Sequence, residues 1–355
     1  MLIIAEAGVN HNGDEKLAFD LVDVANAAGA DVVKFQTFRT NKLVTASAAR
    51  AEYQIANTKT VETQREMLST LELSYDCFRR LARHCESSGI EFLSTAFDSE
   101  SLAFLTNDFG QKRLKIPSGE LTNAPFVLEH ARTGLELILS TGMATLGEIE
   151  EALGVIAFGL LAEASARPCR DAFSEAYASD DGRAVLRDKV TVLHCTTEYP
   201  APLHEINLSA MTSLGRAFGL RCGYSDHSNG ITVPIAATAM GATMIEKHFT
   251  LDRTMKGPDH CASLEPSELG AMVKAIRDVC VALGDGVKRT MPSEVKNKRI
   301  ARKSLVAARS IKSGTVICTE DLLVMRPGGG TSPSRYWEVI GTKASRDYAE
   351  HEVID

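Results

Sequence analysis

The residues best suited to chemistry are two histidines. GYSDH ends at His227 and EKHF contains His248, each closing a short apolar run. Neutral imidazole suits a divalent metal, and two fixed protein ligands would leave positions for water and substrate oxygens. The alternative is that each ring only satisfies a polar position at the rim of the fold. His194 in LHCTTEYP and His260 are weaker candidates, and a buried, hydrogen-bonded role ranks above ligation for His194.

Lys34 in VKFQTF and Lys115 in LKIPSGE are flanked by apolar residues, and a buried ammonium is costly unless an anion meets it. At an effective dielectric near 20, one ammonium about 4 Å from a unit negative charge contributes roughly 4 kcal/mol. That local field outweighs a diffuse formal charge of −7, so an acidic ligand is the natural partner. Pairing with Glu6, Glu120 or Glu246 would serve the lysines equally well. Ser118 with the Gly119 amide, and Ser140 with Thr141 and Gly142, stand in tight turns directly after strands. With Ser94, Thr95 and Ser225 they form a candidate phosphate cup of hydroxyls and turn amides, although a single Ser-Gly turn is usually just a turn. Glu6 and Glu120 are the carboxylates best placed for proton transfer, with a lysine ion pair as the other reading of Glu6. Asp259 in KGPDH suits a sugar-hydroxyl acceptor, in a stretch that is also an ordinary turn signal.

These residues need elements that bring them together. Short β-rich runs alternate with longer amphipathic ones, the pattern of repeated βα units and a parallel sheet. Strands are predicted near Leu2–Glu6, Asp31–Gln36, Glu91–Ser94, Arg113–Ile116, Glu136–Ser140, Val190–His194, Arg221–Tyr224 and Thr243–His248. Eight of them predict an α/β fold, a closed (β/α)8 TIM barrel. Each ends in polar residues: Glu6, Lys34 with Gln36, Ser94 with Thr95, Lys115, Ser140 with Thr141, His194 with Thr196, Ser225 with His227, and His248. A barrel collects such residues at its C-terminal mouth, and period-2 alternation turns Lys34 and Gln36 towards the lumen together. An open doubly wound sheet shares the alternation, but no GxGxxG follows the first strand. The barrel is expected over residues 1–282, a Gly, Pro and charge-rich linker over 283–298, and a small β-rich module over 299–355. Residues 163–189 show no strand signal, are long for a barrel connection and are expected to decorate the surface.

The bulk composition excludes some partners. No Lys/Arg cluster accompanies the −7 charge, which argues against nucleic acid. No apolar run reaches the roughly 18 residues of a membrane span, and the first residues lack a basic leader, so no membrane association is expected. Eight scattered cysteines without a CxxC pair fit reduced thiols in a cytoplasmic protein.

Read together and in order, AEAGVNHNGD, VKFQTF, AEYQI, KIPSGE, STGMAT, HCTTEYP, GYSDHS, EKHFTLD and GPDH resemble the bacterial sialic acid synthase family, over nearly the whole chain. The tail RKSLVAARSIKSG with LLVMRPGGGTSP resembles the antifreeze-like (SAF) module that closes those synthases. The resemblance implies condensation of phosphoenolpyruvate with an N-acyl mannosamine-type sugar and water, releasing phosphate, as in N-acetylneuraminate synthesis. The alternative acceptor is the 6-deoxy diacetamido hexose that leads to N,N'-diacetyllegionaminate. It also implies Mn2+ or Mg2+ on His227 and His248. Lys34, Thr95, Lys115, Ser118, Ser140 and Ser225 would contact phosphoenolpyruvate, and Glu6, Gln36, Tyr199 and Asp259 the open-chain sugar, with Glu120 near the carbon that water attacks. A domain-swapped homodimer would deliver Arg326 in trans to the sugar's acyl end. Two features depart from the family pattern. Thr196 and Thr197 stand where some members carry a substrate-holding Asn, so Thr197 is the candidate contact there, and the 163–189 segment is longer than expected. Both suit a different acceptor. A synthase for a phosphorylated aldose would need a further Arg/Lys pocket, and none is evident. A catalytically silent sugar-binding barrel would have lost the lumen Lys, His and Glu residues, and all are present.

Overall fold

A computed structural model describes residues 1–58 and 62–355. Eight parallel strands form one sheet: β1 (Leu2–Gly8), β2 (Val32–Thr37), β3 (Glu91–Ala96), β4 (Arg113–Ile116), β5 (Glu136–Ser140), β6 (Val190–His194), β7 (Arg221–Asp226) and β8 (Met244–His248), in the order β3-β2-β1-β8-β7-β6-β5-β4. β3 and β4, the two ends of that order, pack side by side and close the barrel. Helices cover the outside, as the burial of these strands on both faces requires. Several helices start on a side-chain cap that satisfies an otherwise free backbone N–H: Asp14, Ser74, Asp98, Asn123 and Thr145 each accept from a residue of the first turn.

Strand alternation sorts the interior into layers. Ile4, Val32, Leu93, Ile138, Leu193 and Met244 form an apolar plug inside the barrel, while their neighbours Ile3, Ala5, Val33 and Phe35 pack outwards against the helices. Two residues further along the strands, the inward positions become Glu6, Lys34, Thr95, Ser140 and Glu246, so a polar layer rests on a dry floor.

The chain divides into two units, Met1–Gly284 and Asp285–Asp355. The second is built on an antiparallel pair, β9 (Ser304–Ala307) and β10 (Leu322–Met325). Its core joins Leu305, Ile311, Ile317, Leu322, Tyr348 and Ile354. Two local expectations change. The stretch 283–298 is not bare linker, because the helix Val295–Ala301 begins inside it. Residues 163–189 are more than decoration: they form helices Arg170–Ala178 and Asp180–Lys189. Phe173 of the first meets the Phe158 ring at 5.2 Å, and a Cβ on Gly154 would stand 3.0 Å from the Phe173 carbonyl oxygen. This close approach buttresses the helix Leu146–Leu161. Among the described residues, no helix is long and apolar enough to cross a membrane.

Candidate active site

A cavity of about 230 Å³ opens at the C-terminal mouth of the barrel. Of the metal and substrate contacts that the family resemblance implies, all but Glu120 and Arg326 line it. Glu120 stands in the 3-10 turn Ser118–Glu120, where its carboxylate accepts from Asn123 Nδ2 at 2.7 Å. Arg326 belongs to the second unit, is exposed, and donates from Nε to the Ala301 carbonyl. Ser94, Thr141, His194 and Thr196 also end strands or follow them, but they bond elsewhere: to Thr37 Oγ1 and to the carbonyls of Leu193, Ile206 and Glu205. A larger groove of about 880 Å³ beside the helix Leu146–Leu161 contains none of the named residues.

The cavity floor is an alternating lattice of charge. Lys34 Nζ lies 2.7 Å from Glu6 Oε2 and 3.6 Å from Glu246 Oε2, and donates to Thr95 Oγ1. Lys115 Nζ donates to Glu246 Oε1 at 2.9 Å, and Ser225 Oγ donates to the same oxygen at 2.7 Å. All four ionic groups are buried. Burial pushes Glu246 up, but Lys115 and Lys34 outweigh it and hold the carboxyl well below its usual range. Lys34 is raised: burial pulls it down, while Glu246 and Glu6 pull harder the other way. For Glu6 burial wins over Lys34 and lifts the carboxyl to about 7, the range in which a group can both give and take a proton at neutral pH. Glu246 entered the sequence reading only as a possible lysine partner. Its position two residues before His248 and two after Met244 is the signal that places it inside the barrel.

Hydroxyls surround this lattice. Ser118 Oγ accepts from the Gly142 amide at 3.0 Å, and a Cβ on Gly142 would fall 2.2 Å from Thr197 Oγ1, so glycine is required for these groups to converge. Ser140 Oγ and Thr197 Oγ1 are buried without a hydrogen-bond partner among the described residues. Buried hydroxyls in that condition suit a polar ligand.

His227 and His248 stand with ring centroids 5.5 Å apart, and the Tyr199 ring lies 4.1 Å from His227. Burial lowers His227 to about 4 and holds His248 well below the usual imidazole range. The Thr196 carbonyl, 2.7 Å from His227 Nδ1, accepts the hydrogen there and leaves the Nε2 lone pair free. His248 Nδ1 has no partner among the described residues. Two neutral imidazoles on one cavity fit a divalent cation. No set of three or more His, Cys, Asp or Glu is gathered for ligation among the described residues, so the remaining positions would fall to water and substrate. Gly8, at φ +53°, lets β1 close in: a Cβ there would stand 3.3 to 3.4 Å from Glu6 Oε1, His248 Cε1 and Gln36 Nε2.

Asp259 is fixed by the loop that follows β8. Asn10 Nδ2 donates to the Phe249 carbonyl and to Ser263 Oγ, which donates to the Asp259 carbonyl at 2.6 Å. Asn12 Nδ2 donates to the Lys256 carbonyl, and Asn12 Oδ1 accepts from His260 Nε2 at 3.1 Å, while Thr250 Oγ1 meets His260 Nδ1 at 2.7 Å. His260 is therefore a positioning residue. Burial raises the Asp259 carboxyl to about 6.

A closed parallel barrel with an ion-pair lattice, a hydroxyl cup and two neutral histidines at its mouth is built as a (β/α)8 enzyme. The chain belongs to the NeuB family, whose model matches residues 21–288, and the SAF domain matches residues 302–355. It is 47% identical over 353 residues to the N,N'-diacetyllegionaminic acid synthase of Campylobacter jejuni, covering 99% of this chain and 98% of that protein. It is 44% identical to the N,N'-diacetyllegionaminic acid synthase of Legionella pneumophila, covering 97% and 90%. Among solved structures, the N-acetylneuraminic acid synthetase of Leptospira borgpetersenii superposes with a TM-score of 0.66 at 31% identity, over 83% of this chain and 89% of that one.

Proposed function

We propose that the protein joins phosphoenolpyruvate to an open-chain N-acylated amino sugar, consuming water and releasing phosphate, and that its acceptor is the 6-deoxy diacetamido hexose. The observation that carries this reading is the buried Lys34–Glu6–Glu246–Lys115 lattice beside two neutral imidazoles in a single cavity. Of the two acceptors left open by the sequence, the higher identity to the two diacetyllegionaminic acid synthases favours the diacetamido sugar.

Lys34 and Lys115 meet the anionic groups of phosphoenolpyruvate, with Thr95, Ser118, Ser140 and Ser225 contacting it. His227 and His248 would hold a manganese or magnesium ion, which would supply Lewis-acid polarisation for the sugar aldehyde. The enol carbon attacks the aldehyde carbon, water adds at the neighbouring carbon, and phosphate leaves with its bridging oxygen. Glu6, raised to about 7, holds a proton that it can exchange with the sugar oxygen. Gln36, Tyr199 and Asp259 orient the acceptor. Glu120 is kept as the carboxylate near the carbon that water attacks, with the exposed Arg326 supplied by the second unit of a partner in a swapped homodimer. The eight free cysteines support a reducing, cytoplasmic setting.

The test is phosphate release by the purified protein with manganese and phosphoenolpyruvate, with the 6-deoxy diacetamido acceptor and N-acetylmannosamine compared side by side. Turnover with the first and slower turnover with the second is expected. Turnover with neither would contradict the proposal.

A further inference from the structure

One wall of the cavity differs chemically from the rest. Val9, Met67, Leu68, Leu71 and Phe97 face it as a continuous apolar surface, in contact with a small cluster of their own. Four of these side chains cannot form a hydrogen bond, and the Met67 thioether is only a weak acceptor. The two lysines of the cavity belong to the floor, Lys34 beside Glu6 and Glu246 and Lys115 beside Glu246, where phosphoenolpyruvate is placed, and not to this wall. The wall therefore offers nothing to a hydroxyl or a phosphate.

It is also rigidly seated. The helix Gln64–Leu71 begins with a reciprocal Thr63–Glu66 cap. At its other end Glu72 accepts from Arg39 Nη1 at 2.9 Å and from the Thr40 amide and hydroxyl at 3.0 Å each. Gly13 packs so tightly beneath it that a Cβ would lie 2.2 Å from the Thr70 carbonyl oxygen. A helix held from three sides presents its apolar face in one fixed position.

From this we infer that the wall sets acceptor specificity by receiving the C6 methyl of a 6-deoxy sugar. The inference rests on the reaction proposed above, in which the aldehyde end must reach the histidines and leaves the distal end of the chain for another wall. An acetamido group brings an N–H and a carbonyl that need partners when buried, and this surface supplies none. A methyl needs none. A 6-hydroxyl would lose its water without replacement, and a 6-phosphate would be buried without a free cation. An apolar pocket rejects an added hydroxyl by about 100-fold at most, so discrimination of roughly ten- to a hundredfold is expected.

The test compares kcat/KM for the 6-deoxy diacetamido acceptor and for its counterpart bearing a 6-hydroxyl, using the full-length protein with manganese and phosphoenolpyruvate. Wild type should prefer the deoxy sugar by about ten- to a hundredfold. Leu68 is half-buried, so Leu68→Gln can place an amide at the wall and should narrow the preference to within about threefold, moving the acceptor KM and not that of phosphoenolpyruvate. Phe97→Tyr, which adds one hydroxyl, should shift the ratio in the same direction, whereas Leu68→Met should keep it. Equal use of both sugars by wild type, or a ratio unmoved by both polar variants, would overturn the assignment while leaving the reaction intact. Turnover with neither sugar would overturn the reaction and the wall with it.

Discussion

The ends of β7 and β8 carry a buried ion pair on one face and part of the cavity lattice on the other. Outside the barrel, Lys247 Nζ donates to Asp226 Oδ2 at 2.6 Å and to the Ser228 carbonyl, while Asp226 Oδ1 accepts from the Ser228 amide. Both side chains are fully buried. Inside, Glu246 and Ser225, each the sequence neighbour of one of those residues, join Lys115 and Lys34 on the cavity floor. The outer pair closes on itself. The inner lattice lies among the unpartnered Ser140, Thr197 and His248 atoms and borders open volume. Burial of charge is thus shared by both, and what marks the functional one is unmatched polar capacity facing a cavity.

The largest effects should come from exchanging the pairs. Removing Lys247 alone leaves Asp226 a buried carboxylate without a cation, at about 3–5 kcal/mol of stability, read by denaturant unfolding, whereas Glu246 keeps Lys34 at 3.6 Å when Lys115 is removed, which should cost less. Relieving the charge in both partners separates the two sites. Asp226→Asn with Lys247→Met should regain most of the stability and keep turnover, whereas Glu246→Gln with Lys115→Met should fold yet lose about a thousandfold or more in kcat/KM. A turnover-competent inner double variant would erase the distinction.

Next in size, His227→Ala and His248→Ala should each lower manganese-dependent turnover by about a hundredfold or more with an unchanged melting profile. Wild-type rates in metal-free buffer resupplied with manganese would remove both rings from metal binding. Asp259→Asn should raise the acceptor KM by about ten- to a hundredfold, since one buried charge-assisted bond is weakened. Its stability effect has a defined sign. A carboxyl raised by burial from 3.8 to about 6 favours its neutral form in the fold, so stability is full below about pH 4 and falls as pH rises through 6. The Asn variant should therefore gain up to about 3 kcal/mol at pH 8 relative to pH 4. Equal melting shifts at the two pH values would contradict this. The smallest effect is expected for Asn12→Ala, which removes one of the two partners of His260 and should cost about 1–2 kcal/mol with a few-fold rise in acceptor KM.

The barrel was legible in the sequence because each strand ends in a polar residue, and the predicted strand limits fall within a residue or two of the observed ones. Period-2 alternation also separated lumen from exterior for Lys34 and Gln36. The same rule, applied to β8, would have turned Glu246 inwards with His248 and Lys247 outwards. Ser94, Thr141, His194 and Thr196 were less legible, because a strand end marks height in the barrel and says nothing about facing. The apolar wall could not be read at all. It is assembled from residues on separate segments, with Leu68 and Met67 drawn to the mouth by Glu72 and Gly13, and a short amphipathic helix looks the same in sequence whether it faces a core or a ligand.

On the proposed reaction, the inner lattice is an anion site completed by phosphoenolpyruvate. Calorimetric titration of the full-length protein with phosphoenolpyruvate alone tests it most directly. One site per chain is expected, weakened at least about a hundredfold in Lys115→Met and unchanged in the Asp226→Asn, Lys247→Met pair. Undiminished binding to Lys115→Met would contradict it.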